Sequence, residues 1–158
     1  MKEPIAADAD ARCRRYAAAL GVLTALFGLR VAGQALQRFV PVEALPSYEA
    51  FHSPALPYSL LLAVQLFLFA LMCSITYDVA LCNRRRNPQA ARLLGWIGAL
   101  YMIGSLARIA AGLALDHPAE WFTSWIPAIF HLVLAAFVLT LAAYHATVWR
   151  GAQAAPAA

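Results

Sequence analysis

Four apolar stretches, separated by short polar and proline-bearing segments, organise this chain. They run over residues 16–37, 58–81, 93–115 and 125–149. Each is close to the ~20 residues that a helix rising ~1.5 Å per residue needs to cross bilayer hydrocarbon. An open strand in lipid cannot bond its own backbone groups, so all four are predicted to be helices. The punctuation agrees. Pro41 and Pro46 follow the first stretch, and Pro57 stands at the start of the second. Asn87 offers an N-cap, with Pro88 at the first helical position, where a missing N–H is no loss. Ser124 is the expected cap of the fourth helix, with Pro127 tolerated in its first turn.

Polar positions inside these stretches are few and patterned. In "FGLRVAGQALQRF", Arg30, Gln34 and Gln37 follow the i, i+4, i+7 spacing of one helical stripe. Tyr58 and Gln65 are seven apart, and Tyr101, Ser105 and Arg108 repeat the i, i+4, i+7 spacing. Counted inward from the helix ends away from the termini, Arg30, Gln65 and Arg108 each lie about 10 Å deep and His131 about 9 Å, with Gln34 shallower. An arginine at a membrane-helix centre costs roughly 2.5–3.5 kcal/mol, less toward the interface. No Asp or Glu shares the layer. The arginines are therefore expected to meet Gln34, Gln65 and Tyr58, acidic residues of the outer loops, or a bound anion.

Each of these residues also has a local explanation. Arg30 could reach the interface along its own stem. Glutamines can join helices for about 0.6 kcal/mol each. His131 could be a satisfied core histidine. Coincidence in depth and face favours one shared, buried, cationic polar site. Ala17, Gly21 and Ala25 on the first helix, and Gly104 and Gly112 on the third, are the expected points of close helix approach.

Composition sharpens the membrane reading. The chain is 63% hydrophobic and 13% charged, where a soluble domain is about a quarter charged. The net charge of +4 is concentrated in particular segments. Lys2, Arg12, Arg14 and Arg15 precede the first helix, Arg84, Arg85, Arg86 and Arg92 lie between the second and third, and Arg150 follows the fourth. The other two loops hold Glu43, Glu49, Asp116 and Glu120, with Arg38 at their edge. Lys/Arg excess marks the cytoplasmic side, so both termini are expected there. Trp121 and Trp125 suit the outer aromatic belt, Trp96 and Trp149 the inner one. No basic face with interleaved aromatics supports nucleic-acid binding. The first stretch has features of a signal peptide, including "VAGQA". Glu3, Asp8, Asp10 and the interrupting Arg30 favour a retained span.

Cys13, Cys73 and Cys82 form no C-x-x-C pair and are expected to make no disulfide framework, with Cys73 a small buried apolar residue. A cationic, hydrogen-bonding pocket in the outer leaflet suits an amphiphile with an anionic or quinone-like head. Arginine grips phosphate or carboxylate as a fork, and Gln, Tyr and His can bond quinone oxygens. Of the residues in the layer, only His131 can give or take a proton near neutrality. Haem is a lesser alternative: His131 with His52 could ligate one, but His145 would lack a partner, since His117 is in an outer loop. A metal centre and a covalent nucleophile find no supporting residue cluster, so the reading leans away from an enzyme and leaves turnover of the ligand open. Small multidrug exporters have four helices but depend on a membrane glutamate absent here. Small fluoride channels are similar in size and carry arginine, but insert in both orientations. Transport through so small a unit would need an oligomer. In size and span count the chain also resembles small four-span bacterial families such as DoxX, with no motif that specifies one.

The expectation is thus an all-α integral membrane four-helix bundle in a bacterial inner membrane. It comprises an N-terminal segment 1–15, one domain over 16–150 and a disordered tail 151–158. Arg30 and Arg108 supply charge, and Gln34, Gln37, Tyr58, Gln65, Tyr101, Ser105 and His131 complete the ligand site, for a lipid or a quinone. The alternative is an accessory or assembly subunit of a larger membrane complex, with a membrane-protein partner or a second copy of itself.

Overall fold

A computed structural model describes residues 3–40, 42, 57–83, 87–115 and 125–153. It contains four helices, α1 (Glu3–Phe39), α2 (Tyr58–Ala80), α3 (Pro88–Ala114) and α4 (Trp125–Gln153), with no strand among the described residues. All four are long and apolar enough to cross a membrane. The outer-loop acids, His52, His117, Trp121, Ser124, the three consecutive arginines and residues 154–158 lie outside the described residues. Helix α1 carries its polar opening segment as continuous helix, and α4 continues through Gly151–Gln153.

Local chemistry sets the helix ends. Asn87 caps α3 as expected: its side chain accepts from Gln89 N at 2.8 Å and Ala90 N at 3.4 Å, with Pro88 in the first turn. Such a cap stabilises a helix by about 1 kcal/mol. The Asn87 backbone N–H donates to Nδ1 of the buried His145, tying the start of α3 to α4. Pro57, expected at the start of the second helix, sits at the N-cap of α2. Helix α2 ends where Cys82 turns into the left-handed region at φ 54°, a conformation uncommon for a residue with a Cβ.

That turn brings Cys82 to Cys13, and the two are joined as a disulfide with Cα atoms 5.8 Å apart. This corrects the expectation of three separate thiols. The pairing spans 69 residues and depends on how α1 and α2 meet. Cys73 differs too: it is exposed on the outer face of α2.

Helix α1 is central. Its buried positions Cys13, Ala17, Leu20, Thr24, Phe27, Val31 and Gln34 alternate steps of four and three, the 3.5-residue period of supercoiled helix packing. Tyr16 meets Tyr144 edge-on at 5.7 Å, so α1 and α4 run antiparallel with both termini at one end. Thr24 Oγ1 and Thr76 Oγ1 hydrogen-bond at 3.2 Å across the antiparallel α1–α2 contact. Helix α1 packs on α2 and α4, and α4 packs on α3, giving the lateral order α2–α1–α4–α3. Helix α2 therefore has α1 as its main neighbour.

Close approaches fall at other glycines than expected. A Cβ on Gly28 would lie 2.5 Å from the Phe69 ring, and one on Gly98 would lie 2.9 Å from Leu139. Gly21 makes ordinary contact with Thr76, whereas Gly104 has nothing within 4 Å among the described residues and is exposed. Ala25 is also exposed. Large apolar side chains cover the outer faces, among them Leu29 and Trp96, each 72% exposed, with Phe67, Leu100 and Ile103. In water this would be a continuous sticky surface; in a bilayer it is solvated. Four such helices fit a multi-pass membrane protein.

Candidate functional site

The polar stripe of α1 turns inward. Arg30, Gln34 and Gln37 are all buried, with Gln34 at 0% exposure. The guanidinium of Arg30 lies over the Phe130 ring of α4, 5.5 Å from its centroid. A cation facing an aromatic ring in a desolvated setting gains up to about 2 kcal/mol, which offsets part of the cost of burying the charge. Phe130 was not among the residues expected here. Helix α4 is apolar nearly throughout, so nothing in its own pattern singles out one phenylalanine as the platform for an arginine on α1.

Across the bundle, α2 contributes Gln65 and α3 contributes Ser105 and Arg108, all buried. The level of each follows from the antiparallel registers. Tyr16–Tyr144 and Arg30–Phe130 keep one register along the α1–α4 contact. Gly21 and Thr24 against Thr76, and Gly28 against Phe69, set that of α1 on α2. Gly98 against Leu139, and Tyr101 edge-on to His131 at 5.7 Å, set that of α3 on α4. Together they place Gln34, Gln65 and Arg108 at depths along the bundle within about one turn of each other. Arg30, His131 and Ser105 lie roughly one turn deeper toward the terminal end.

Hydrogen bonding separates these residues by role. Gln37 Oε1 accepts from the Val42 N–H at 2.6 Å, fastening the chain just after α1. Ser105 Oγ donates to the Tyr101 carbonyl one turn earlier, at 2.8 Å. Tyr58 is half-buried, with Arg38 over its ring at 5.9 Å. His131 Nδ1 is hydrogen-bonded to the Pro127 carbonyl, which can only accept. Nδ1 therefore carries the proton, and in the neutral ring Nε2 is left as an acceptor.

Gln34 and Gln65 behave differently. Neither Nε2 nor Oε1 of Gln34 has a hydrogen-bond partner among the described residues, and the same holds for Oε1 of Gln65. A buried polar atom left unpaired costs about 1–3 kcal/mol. Buried glutamines in native structures normally find partners, which sets these two apart from the other polar residues of the layer.

The described residues contain no group of three or more His, Cys, Asp or Glu side chains positioned to hold a metal ion. His145 accepts the Asn87 backbone N–H at the terminal end, and His52, which the haem alternative pairs with His131, lies outside the described residues. Compared with models of known families, with curated proteins and with solved structures, the chain matches none.

Proposed function

We propose that this multi-pass membrane protein binds an amphiphile whose anionic or quinone-like head enters the polar layer at the loop end of the bundle. One observation carries the reading. Gln34 is wholly buried with both amide atoms unpaired among the described residues, at the level of Gln65 and Arg108 and one turn from Arg30. Arg30 and Arg108 attract the head, the two glutamines orient it, and the apolar outer faces let its tails remain in lipid. Arg30→Met and Arg108→Met keep the apolar stem and remove the charge. Each is expected to lower retention of an anionic lipid or quinone probe, read by native mass spectrometry in nanodiscs, by about 10- to 100-fold, the worth of a charged hydrogen bond. Retention equal to that of the unaltered protein in both variants would sink the reading.

The Lys/Arg distribution supports an orientation with the terminal end in the cytoplasm. Cys82, exposed at that end, reports orientation. After reduction, a membrane-impermeant maleimide is expected to label it in inside-out vesicles and not in right-side-out ones. The opposite pattern overturns this orientation.

An accessory-subunit role is the second reading. Its supporting observation is that α2 packs chiefly on α1, which leaves much of its apolar circumference open to another membrane helix.

A further inference from the structure

We propose that the head group taken by this site carries hydroxyl groups, so that it donates hydrogen bonds to Gln34 Oε1 and Gln65 Oε1 as well as accepting from the arginines. This rests on the ligand-binding reading above and narrows it to a chemical class.

The inference comes from counting donors and acceptors. Arg30 and Arg108 bring only donors. Gln34 Nε2 is one more. Against these stand two buried carboxamide oxygens, on Gln34 and Gln65, with no donor among the described residues. Turning the Gln34 amide over changes nothing, because neither of its atoms has a partner. A third acceptor, His131 Nε2, follows from the bond that Nδ1 makes to the Pro127 carbonyl.

A head that only accepts leaves this set half satisfied. An oxidised quinone, a fatty carboxylate and a phosphodiester without hydroxyls can all accept from an arginine and from the Gln34 N–H. None of them reaches the glutamine oxygens with a donor. A head with hydroxyls beside acceptor oxygens satisfies both kinds of atom. Two sources share that chemistry, a dihydroxy aromatic such as a quinol and a phospholipid with a glycerol or sugar head. Selectivity follows from the same count, since a site built around acceptors for a hydroxyl discriminates against the analogue that lacks it.

The experiment uses the full chain in nanodiscs and two matched probe pairs, with bound molecules read by native mass spectrometry. Phosphatidylglycerol competes with phosphatidylmethanol, which has the same charge and no hydroxyl. A short-chain quinol, kept anaerobic, competes with its quinone. In at least one pair the hydroxyl-bearing member is expected to be retained about tenfold or more over its partner, the worth of one good hydrogen bond. The pair that responds identifies the source. Gln34→Leu combined with Gln65→Leu is expected to bring that ratio to about one, at the same tenfold scale. Gln34→Met, close to glutamine in length and volume, takes its place if the doubly substituted protein does not purify as a single species. Equal retention within both pairs overturns the hydroxyl inference and leaves the binding reading standing. A ratio that survives substitution of the glutamines overturns their assigned role. No retention of any probe sinks the binding reading and this inference with it.

Discussion

Replacing Gln34 by leucine is expected to raise the melting temperature of the ligand-free protein while weakening its hold on a hydroxyl-bearing amphiphile. Gln34 continues the inward stripe of Leu20, Phe27 and Val31 on α1, where leucine is the natural occupant. Its two amide atoms are buried and unpaired among the described residues, each at a cost of about 1–3 kcal/mol. Leucine removes both atoms at similar volume and with good helix propensity. A gain of roughly 2–4 kcal/mol corresponds to a rise on the order of 5–10 °C for a chain of this size. Thermal unfolding of delipidated protein in detergent, followed by circular dichroism, measures it. Adding the retained lipid or quinol should stabilise the unaltered protein and leave Gln34→Leu little changed, because only the first has amide atoms waiting for it. A glutamine that instead joined two helices would behave oppositely. Its loss would cost about 0.6 kcal/mol with or without ligand. A lower melting temperature in both states would therefore show that Gln34 is structural.

A leucine at Gly28 is expected to do the most damage to the bundle. A Cβ there would lie 2.5, 3.0 and 3.3 Å from three atoms of the Phe69 ring, and leucine adds three further carbons. Either Phe69 leaves its place or α2 moves off α1. Overpacking of this kind costs about 1–3 kcal/mol and sometimes more. The consequence is larger than the clash, because α1 is the main neighbour of α2. Displacing α2 also strains the Thr24–Thr76 bond about one turn away and carries Gln65 out of the polar layer. The expected result is a melting temperature lower by about 5–10 °C and at least a tenfold loss of probe retention. Gly104→Leu is the matched control. Among the described residues nothing lies within 4 Å of a Cβ at Gly104, so leucine there is expected to meet lipid and gain helix propensity. Gly28→Leu combined with Phe69→Ala should recover part of the loss. Equal stability of the Gly28 and Gly104 variants would show that α1 and α2 do not depend on this approach.

The two glycines illustrate what a linear pattern carries and what it does not. Gly28 and Gly104 both sit in long apolar helices, and small-residue spacing favours Gly104. Only the packing shows that Gly28 meets a phenylalanine ring while Gly104 meets nothing among the described residues. The polar stripe was more legible. A 3.6-residue helix forces Arg30, Gln34 and Gln37 onto one face whatever surrounds them, and the cost of lipid exposure turns that face inward. Their separate duties were not legible. Gln37 is engaged by the Val42 N–H, Ser105 by its own helix and His131 by Pro127, whereas Gln34 has no bond among the described residues.

By itself the sequence determined four helices, their approximate ends, the cap at Asn87 and the inward face of α1. These follow from interactions within a turn or two of chain and from the difference between lipid and water, both of which act on local residue type. The tertiary structure decided the lateral order α2–α1–α4–α3, the joining of Cys13 to Cys82, the Phe130 platform under Arg30 and the level shared by Gln34, Gln65 and Arg108. Each of those needs residues distant in sequence to meet. Between largely apolar helices, the choice of neighbour rests on the fit of particular side chains, which no periodicity along one strand of chain records.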